Sequence, residues 1–109
     1  MSAITTHVLD TARGRPAAGV AIRLERGPEV LGSGATDDDG RLRDLLPAGA
    51  PLEPGAYRLV FDTGAYFAAQ GTEAFYPRVA VDFVVRDGAQ HHHVPLLLSP
   101  FGYSTYRGS

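Results

Sequence analysis

Apolar and polar residues alternate along most of this chain in short runs, and Gly, Pro or Asp separates one run from the next. A side-chain period of two is the signature of a strand with one covered face. Ile4 to Leu9 reads as a first strand with Thr5, His7 and Leu9 on one face, followed by a turn over Asp10 to Pro16. Gly19 to Arg26 alternates cleanly: Val20, Ile22 and Leu24 face one way, Ala21, Arg23 and Glu25 the other. Val30 to Thr36 is a weaker strand, loosened by Gly32 and Gly34. Asp37-Asp38-Asp39-Gly40 is a turn, because Asp and Gly accept the left-handed backbone that turns need. Arg41 to Leu46 is a further extended segment, and Pro47 to Pro54 a loop.

Gly55 to Asp62 puts Tyr57, Leu59 and Phe61 on one face, and Arg78 to Arg86 does the same with Val79, Val81, Phe83 and Val85. Between them, Thr63 to Gly71 is the one helical segment, with Thr63 as its cap and Gly71 as its stop. Asp87-Gly88 is a turn, Gln90 to Ser99 a strand, Pro100 to Gly102 a turn, and Tyr103 to Arg107 a last short strand. Pro95 cannot donate to a ladder, so it marks an edge strand or a place where an N–H would face open space. Roughly eight short strands and one short helix in a chain of domain size predict an all-β fold, a two-sheet β-sandwich in one domain spanning 1–109.

Composition narrows the chemistry. There is no cysteine, which removes disulfides, thiolate metal ligands and a thiol nucleophile together. All ten basic residues are Arg, so Schiff-base chemistry on Lys is excluded. The net charge of −2, with no basic stripe, argues against nucleic acid as a partner. The first residues lack a basic and apolar leader pattern, and no apolar run approaches the roughly 20 residues a membrane span requires. The expectation is a soluble cytoplasmic protein.

Three groups of residues carry possible chemistry. In His91-His92-His93, strand alternation sends His91 and His93 to one face and His92 to the other. That pair is either half of a metal site, with His7 as a third ligand, or a solvated strand start. His7 and Arg41 are polar residues that are structural or solvated as often as functional. The Asp37 to Asp39 run lacks the remaining spacing of a calcium loop. The tail Tyr103 to Ser109 packs hydroxyls and a guanidinium directly after an apolar strand. No Gly-x-Ser-x-Gly elbow is present, so a hydrolytic reaction would have to use activated water.

The stretch from His91 to Ser109, ending Tyr106-Arg107-Gly108-Ser109, closely resembles the C-terminal signature of the 5-hydroxyisourate hydrolases, the transthyretin-related proteins. Thr5 to Thr11 resembles the family's N-terminal signature. Thr36 to Arg41, Tyr66-Phe67 and Phe75-Tyr76-Pro77 extend the likeness across the chain. The resemblance implies a transthyretin-like sandwich of two four-stranded sheets that assembles as a homotetramer, a dimer of dimers with sites in its central channel. It implies hydrolysis of 5-hydroxyisourate to 2-oxo-4-hydroxy-4-carboxy-5-ureidoimidazoline in urate catabolism, with no metal and no cofactor. By motif match, His7, His93 and Arg41 correspond to the catalytic residues. His7, Arg41, Tyr106, Arg107 and Ser109 correspond to those that hold substrate. His92 stands where the family usually has Tyr; it points away from His93, which leaves the site intact and the local packing changed. The competing readings are an aromatic-hormone carrier, a structural sandwich module and a His-x-His metalloenzyme.

Overall fold

The structure is a computed structural model and describes residues 2–109. Its strands are β1 (Ile4–Asp10), β2 (Arg15–Pro16), β3 (Ala21–Arg26), β4 (Glu29–Ala35), β5 (Arg41–Leu42), β6 (Gly55–Phe61), β7 (Val79–Val85), β8 (His92–Ser99) and β9 (Gly102–Thr105). One helix, α1 (Thr63–Ala68), lies between β6 and β7. They form two sheets. One runs β2-β1-β8-β9, with β5 also paired to β1; the other runs β4-β3-β6-β7. Among the described residues no helix is long and apolar enough to cross a membrane.

The alternation read from the sequence decides which faces meet. Ile22 and Leu24 of β3 are buried, with Tyr57, Leu59 and Phe61 of β6 and Val79 and Val85 of β7. They pack against Ile4 and Val8 of β1 and Val94, Leu96 and Leu98 of β8, in one core between the sheets. Each such side chain contributes about 1.5–3 kcal/mol on leaving water, which supplies the drive for the sandwich. Thr6 is fully buried among them because its hydroxyl donates to Val94 O at 2.6 Å, so its polar atom is satisfied.

Several local expectations change in three dimensions. The turn after β1 hides a two-residue strand, β2, which pairs Leu9 with Pro16 and Asp10 with Arg15. The segment from Arg41 keeps strand pairing only as far as Leu42. Gly32 does not loosen β4: the Leu45 backbone lies where its side chain would be, so this glycine admits a close crossing. The helix cap is Asp62, not Thr63. The Asp62 carboxylate accepts the Ala65 N–H, while Thr63 is the first helical residue and fully buried.

Pro95 is not on an edge strand, since β8 lies between β1 and β9. The alternative reading of that proline, an N–H facing open space, describes the local geometry. The pairing of β8 with β9 runs from Ser99–Gly102 to Leu96–Thr105 and stops one residue short of Pro95. The Thr105 hydroxyl donates to Pro95 O at 2.7 Å, which puts the proline nitrogen on the same, β9-facing side. A residue without an N–H costs nothing there. The last strand therefore ends at Thr105 rather than Arg107. Tyr106 and Arg107 leave the ladder, and Gly108 rejoins it by donating its N–H to His93 O at 2.8 Å.

Candidate active site

The outer face of the β1–β8 sheet carries the polar residues that interrupt its apolar strands. In the antiparallel pairing of β1 with β5, His7 stands opposite Arg41. In the parallel pairing of β1 with β8, Thr5 stands opposite His93 and His7 opposite Pro95. Directly opposed residues project to the same face, and neighbouring strands lie about 4.8 Å apart. Arg41, His7 and His93 therefore sit on three adjacent strands and one surface. Leu42 and Val94, one residue along, turn into the core.

The turn before β5 sets Arg41. The Asp37 carboxylate accepts the backbone N–H groups of Asp39 and Arg41, both at 2.9 Å. These bonds, the Arg41 one foremost, hold the Asp37 carboxyl below its usual range. Gly40 has φ of +77°, and a side chain there would run into the carbonyl oxygen of Val8, the residue whose N–H donates to Gly40 O at 2.7 Å. Glycine is thus required for β5 to reach β1 and bring Arg41 beside His7. Among the described residues the Arg41 guanidinium makes no hydrogen bond and no ion pair, whereas Arg43 pairs with Asp37 at 3.7 Å.

Two imidazoles share this face with the guanidinium, in different states of restraint. His7 Nε2 lies 2.8 Å from Asp39 O. A carbonyl only accepts, so Nε2 carries the proton and Nδ1 is left free. His93 is half-buried, and its Nδ1 is 2.8 Å from the Thr5 hydroxyl. Desolvation first, then the charges of Arg41, His91 and His7, lower its pKa from the ordinary 6.5. His93 is accordingly neutral near pH 7. Gly108 lies directly on its ring: a Cβ there would be 2.6 Å from His93 Cδ2 and 3.2 Å from Pro95 Cγ.

Between these groups is a cleft of about 190 Å³, lined by Thr5, Thr6, Arg41, Arg43, His91, His93 and Ser109. His7 is next along the same face, outside the wall of the cleft itself. Ser109 is the tail residue that reaches the cleft. Tyr106 and Arg107 do not: they line a separate groove of about 270 Å³ with Val81, Phe83 and His92. Arg107 also donates to Gln90 Oε1 at 3.1 Å, which ties the detour of the tail to the loop before β8. Thr5 and His91 also belong to the site: strand alternation put them on the faces of His7 and His93, and nothing in the sequence gave either a part in hydrolysis. Among the described residues no three His, Asp or Glu side chains converge as metal ligands.

His92 points to the other side of β8, into the sandwich, and is 5% exposed. Its Nδ1 has no hydrogen-bond partner among the described residues. Burial first, then the charge of Arg107, lowers its pKa from 6.5.

The model of the HIUase/Transthyretin family matches residues 4–108. A protein of Caulobacter vibrioides named 5-hydroxyisourate hydrolase is 50% identical over 117 residues, covering 100% of this chain and 100% of its own. The structure of a Klebsiella pneumoniae 5-hydroxyisourate hydrolase is 43% identical and superposes with a TM-score of 0.91, covering 100% of both chains. Sea bream transthyretin in complex with thyroxine is 32% identical with a TM-score of 0.87, over 96% of this chain and 93% of that one.

Proposed function

The chain belongs to the HIUase/transthyretin family, and from that membership we propose that it hydrolyses 5-hydroxyisourate, with water activated by histidine and the substrate held by Arg41. It opens the ring amide to give 2-oxo-4-hydroxy-4-carboxy-5-ureidoimidazoline. The observation that carries this reading is the strand register that sets Arg41, with an unpaired guanidinium, on one face with His7 and His93. An Arg fork is matched to the oxygens of a planar anionic heterocycle and to the charge that develops on the amide oxygen. An imidazole with a free nitrogen is matched to taking the proton of water, and a second one on the same face to orienting the reacting groups or protonating the leaving nitrogen. Ser109 closes the cleft, and the Arg107 hydrogen bond to Gln90 holds the tail in place. A bulky polar surface of this kind suits turnover better than the apolar tunnel that an aromatic hormone requires.

The cleft is small beside the roughly 300–1,000 Å³ of a typical ligand pocket, which supports a site completed by another subunit. We take the working form to be a cytoplasmic homotetramer, a dimer of dimers. Its support is the pair of open strand edges, β7 and β9, that flank one groove, together with Phe75, Phe101 and Tyr106 standing 68%, 64% and 58% exposed.

The test is the decay of 5-hydroxyisourate, generated in the cuvette by oxidation of urate and followed by absorbance. Decay should accelerate in proportion to protein added. His7→Asn or His93→Asn should each lose about 10²–10⁴ of that rate while the fold persists. A folded wild-type protein that leaves the decay unchanged overturns the proposal and favours a binding role for the same face.

A further inference from the structure

Arg41, His7 and His93 account for substrate binding and proton transfer, and leave Thr5 and His91 without a task. Yet the Thr5 hydroxyl lies between two imidazoles, 2.9 Å from His91 Nε2 and 2.8 Å from His93 Nδ1. The two rings lie nearly parallel, 20° apart with centroids separated by 6.3 Å. Thr5 is 3% exposed and His93 half-buried, whereas His91 is open to solvent. A hydroxyl has one proton to give. It can satisfy both nitrogens only by donating to one and accepting an N–H from the other. The tautomers of the two histidines are therefore locked together through Thr5.

We infer that His91 is a positioning residue that holds the catalytic proton, exchanging it with His93 through the Thr5 hydroxyl. The inference rests on the hydrolase reading and extends it by making His93 the general base. In the resting chain, His93 Nδ1–H donates to Thr5 Oγ1 and the Thr5 hydroxyl donates to His91 Nε2. This leaves His93 Nε2 unprotonated toward the cleft. Water gives its proton to His93 Nε2 as its oxygen attacks the ring carbonyl. His93 Nδ1–H passes its proton to Thr5, and Thr5 passes its own to His91. His93 is again neutral, and the positive charge rests on His91. When the C–N bond breaks, the same chain runs backward and His93 Nε2–H protonates the leaving nitrogen. No proton is gained or lost in the cycle beyond the water consumed.

The geometry gives a reason for this division. An imidazolium on His93 would stand in a half-buried cleft facing the Arg41 guanidinium from β5 and His7 from β1, with Arg43 also on the wall. The tail brings Gly108 and Ser109 to that side; neither side chain is ionisable, and Ser109 bears the main-chain carboxylate. On His91 the same charge is exposed to water. Desolvating a charge beside like charges is costly, and exposing it to water is not.

The experiment compares kcat and KM of the wild type, Thr5→Ser, Thr5→Val and His91→Asn across pH in H₂O and D₂O. His91 is exposed, so its replacement leaves the fold intact and carries the test even if Thr5→Val folds poorly. His91→Asn and Thr5→Val should each lower kcat about tenfold or more with KM nearly unchanged. Thr5→Ser keeps the hydroxyl and should stay near wild type, and added imidazole should restore part of the His91→Asn rate. The wild-type solvent isotope effect should curve with D₂O fraction, showing more than one proton in flight, and become linear in both impaired variants. Unchanged kcat and pH profile in His91→Asn, or an equal loss in Thr5→Ser and Thr5→Val, overturns the relay while leaving the hydrolase reading in place. Absence of turnover in the wild type defeats the hydrolase reading itself and the relay with it.

Discussion

At the scale of single residues, neighbouring histidines on β8 have opposite tasks because a strand sends them to opposite sides. His93 faces the cleft, where a neutral ring is useful. His92 faces the core, where its Nδ1 is buried without a partner. Leaving such a group unpaired costs about 1–3 kcal/mol. Burial also lowers the His92 pKa, and His93 shifts the same way. The sign follows directly. A histidine whose folded pKa lies below its unfolded value of 6.5 binds its proton more readily in the unfolded chain. Its contribution to stability is complete above about pH 6.5 and is lost as pH falls below it. Urea midpoints measured at pH 7.5 and 5.5 should differ, the acid one being lower. In His92→Phe the midpoint at pH 7.5 should rise by the equivalent of about 1 kcal/mol, because the orphaned nitrogen is gone. The gap between the two pH values should shrink to the part owed to His93. A variant no more stable than wild type, with an unchanged gap, would show that His92 finds a partner in solution.

At the scale of elements, the tail is shaped by two residues that lack something. Pro95 has no N–H, so the β8–β9 ladder ends before it and Tyr106 and Arg107 swing out. Gly108 has no side chain, so the backbone can return and lie on the His93 ring. That contact, with the Thr5 hydrogen bond, leaves the imidazole little freedom to turn. Gly108→Ala places a methyl where His93 and Pro95 already are. It should lower turnover severalfold or more while shifting the thermal midpoint by no more than about 2 °C, since the tail is exposed and peripheral. Calorimetry beside the decay assay separates the two effects. A parallel loss of stability and activity would mean that the tail supports the sandwich rather than the site. The helix follows a similar logic: six residues are too few to persist alone. It is docked by Tyr66, whose hydroxyl donates at 2.7 Å to the buried carboxylate of Asp10 at the end of β1.

At the scale of the molecule, the two sheets treat their outer faces differently. The face of β3, β6 and β7 carries ion pairs, Arg58 with Asp82 across strands and Arg23 with Glu25 along one. Such a face is at home in water. The face of β1 and β8 carries Leu9, Leu97 and Pro95 among its histidines, with Arg41 unpaired beside them. The open edges of β7 and β9 flank a single groove. A surface of this composition is suited to meeting copies of itself. Sedimentation velocity should give a mass of four chains, and the thermal midpoint should rise with protein concentration. A monomer at micromolar concentration, still active, would show that one chain completes its own site.

The order of polar and apolar positions was enough to determine the class of fold, the core faces of β1, β3, β6, β7 and β8, and the opposition of His92 to His93. These follow from a period of two and from burial, both local properties of the chain. The turn at Gly40 was legible for the same reason. The interior place of β8 was not, because it depends on β1, a partner distant in sequence. The cap at Asp62 and the short strand β2 have near partners, but Thr63 offers the same capping chemistry and two residues are too few to show a period. The candidate site divides along that line. His7, Arg41 and His93 were visible as residues, chiefly through the resemblance of the end motifs. Their meeting on one surface depended on the antiparallel β1–β5 and parallel β1–β8 registers. Thr5 and His91 join the site only through hydrogen bonds that span 86 and 88 residues of chain. No spacing in the sequence encodes such a bond, because the distance between its ends is set by how the sheet is ordered.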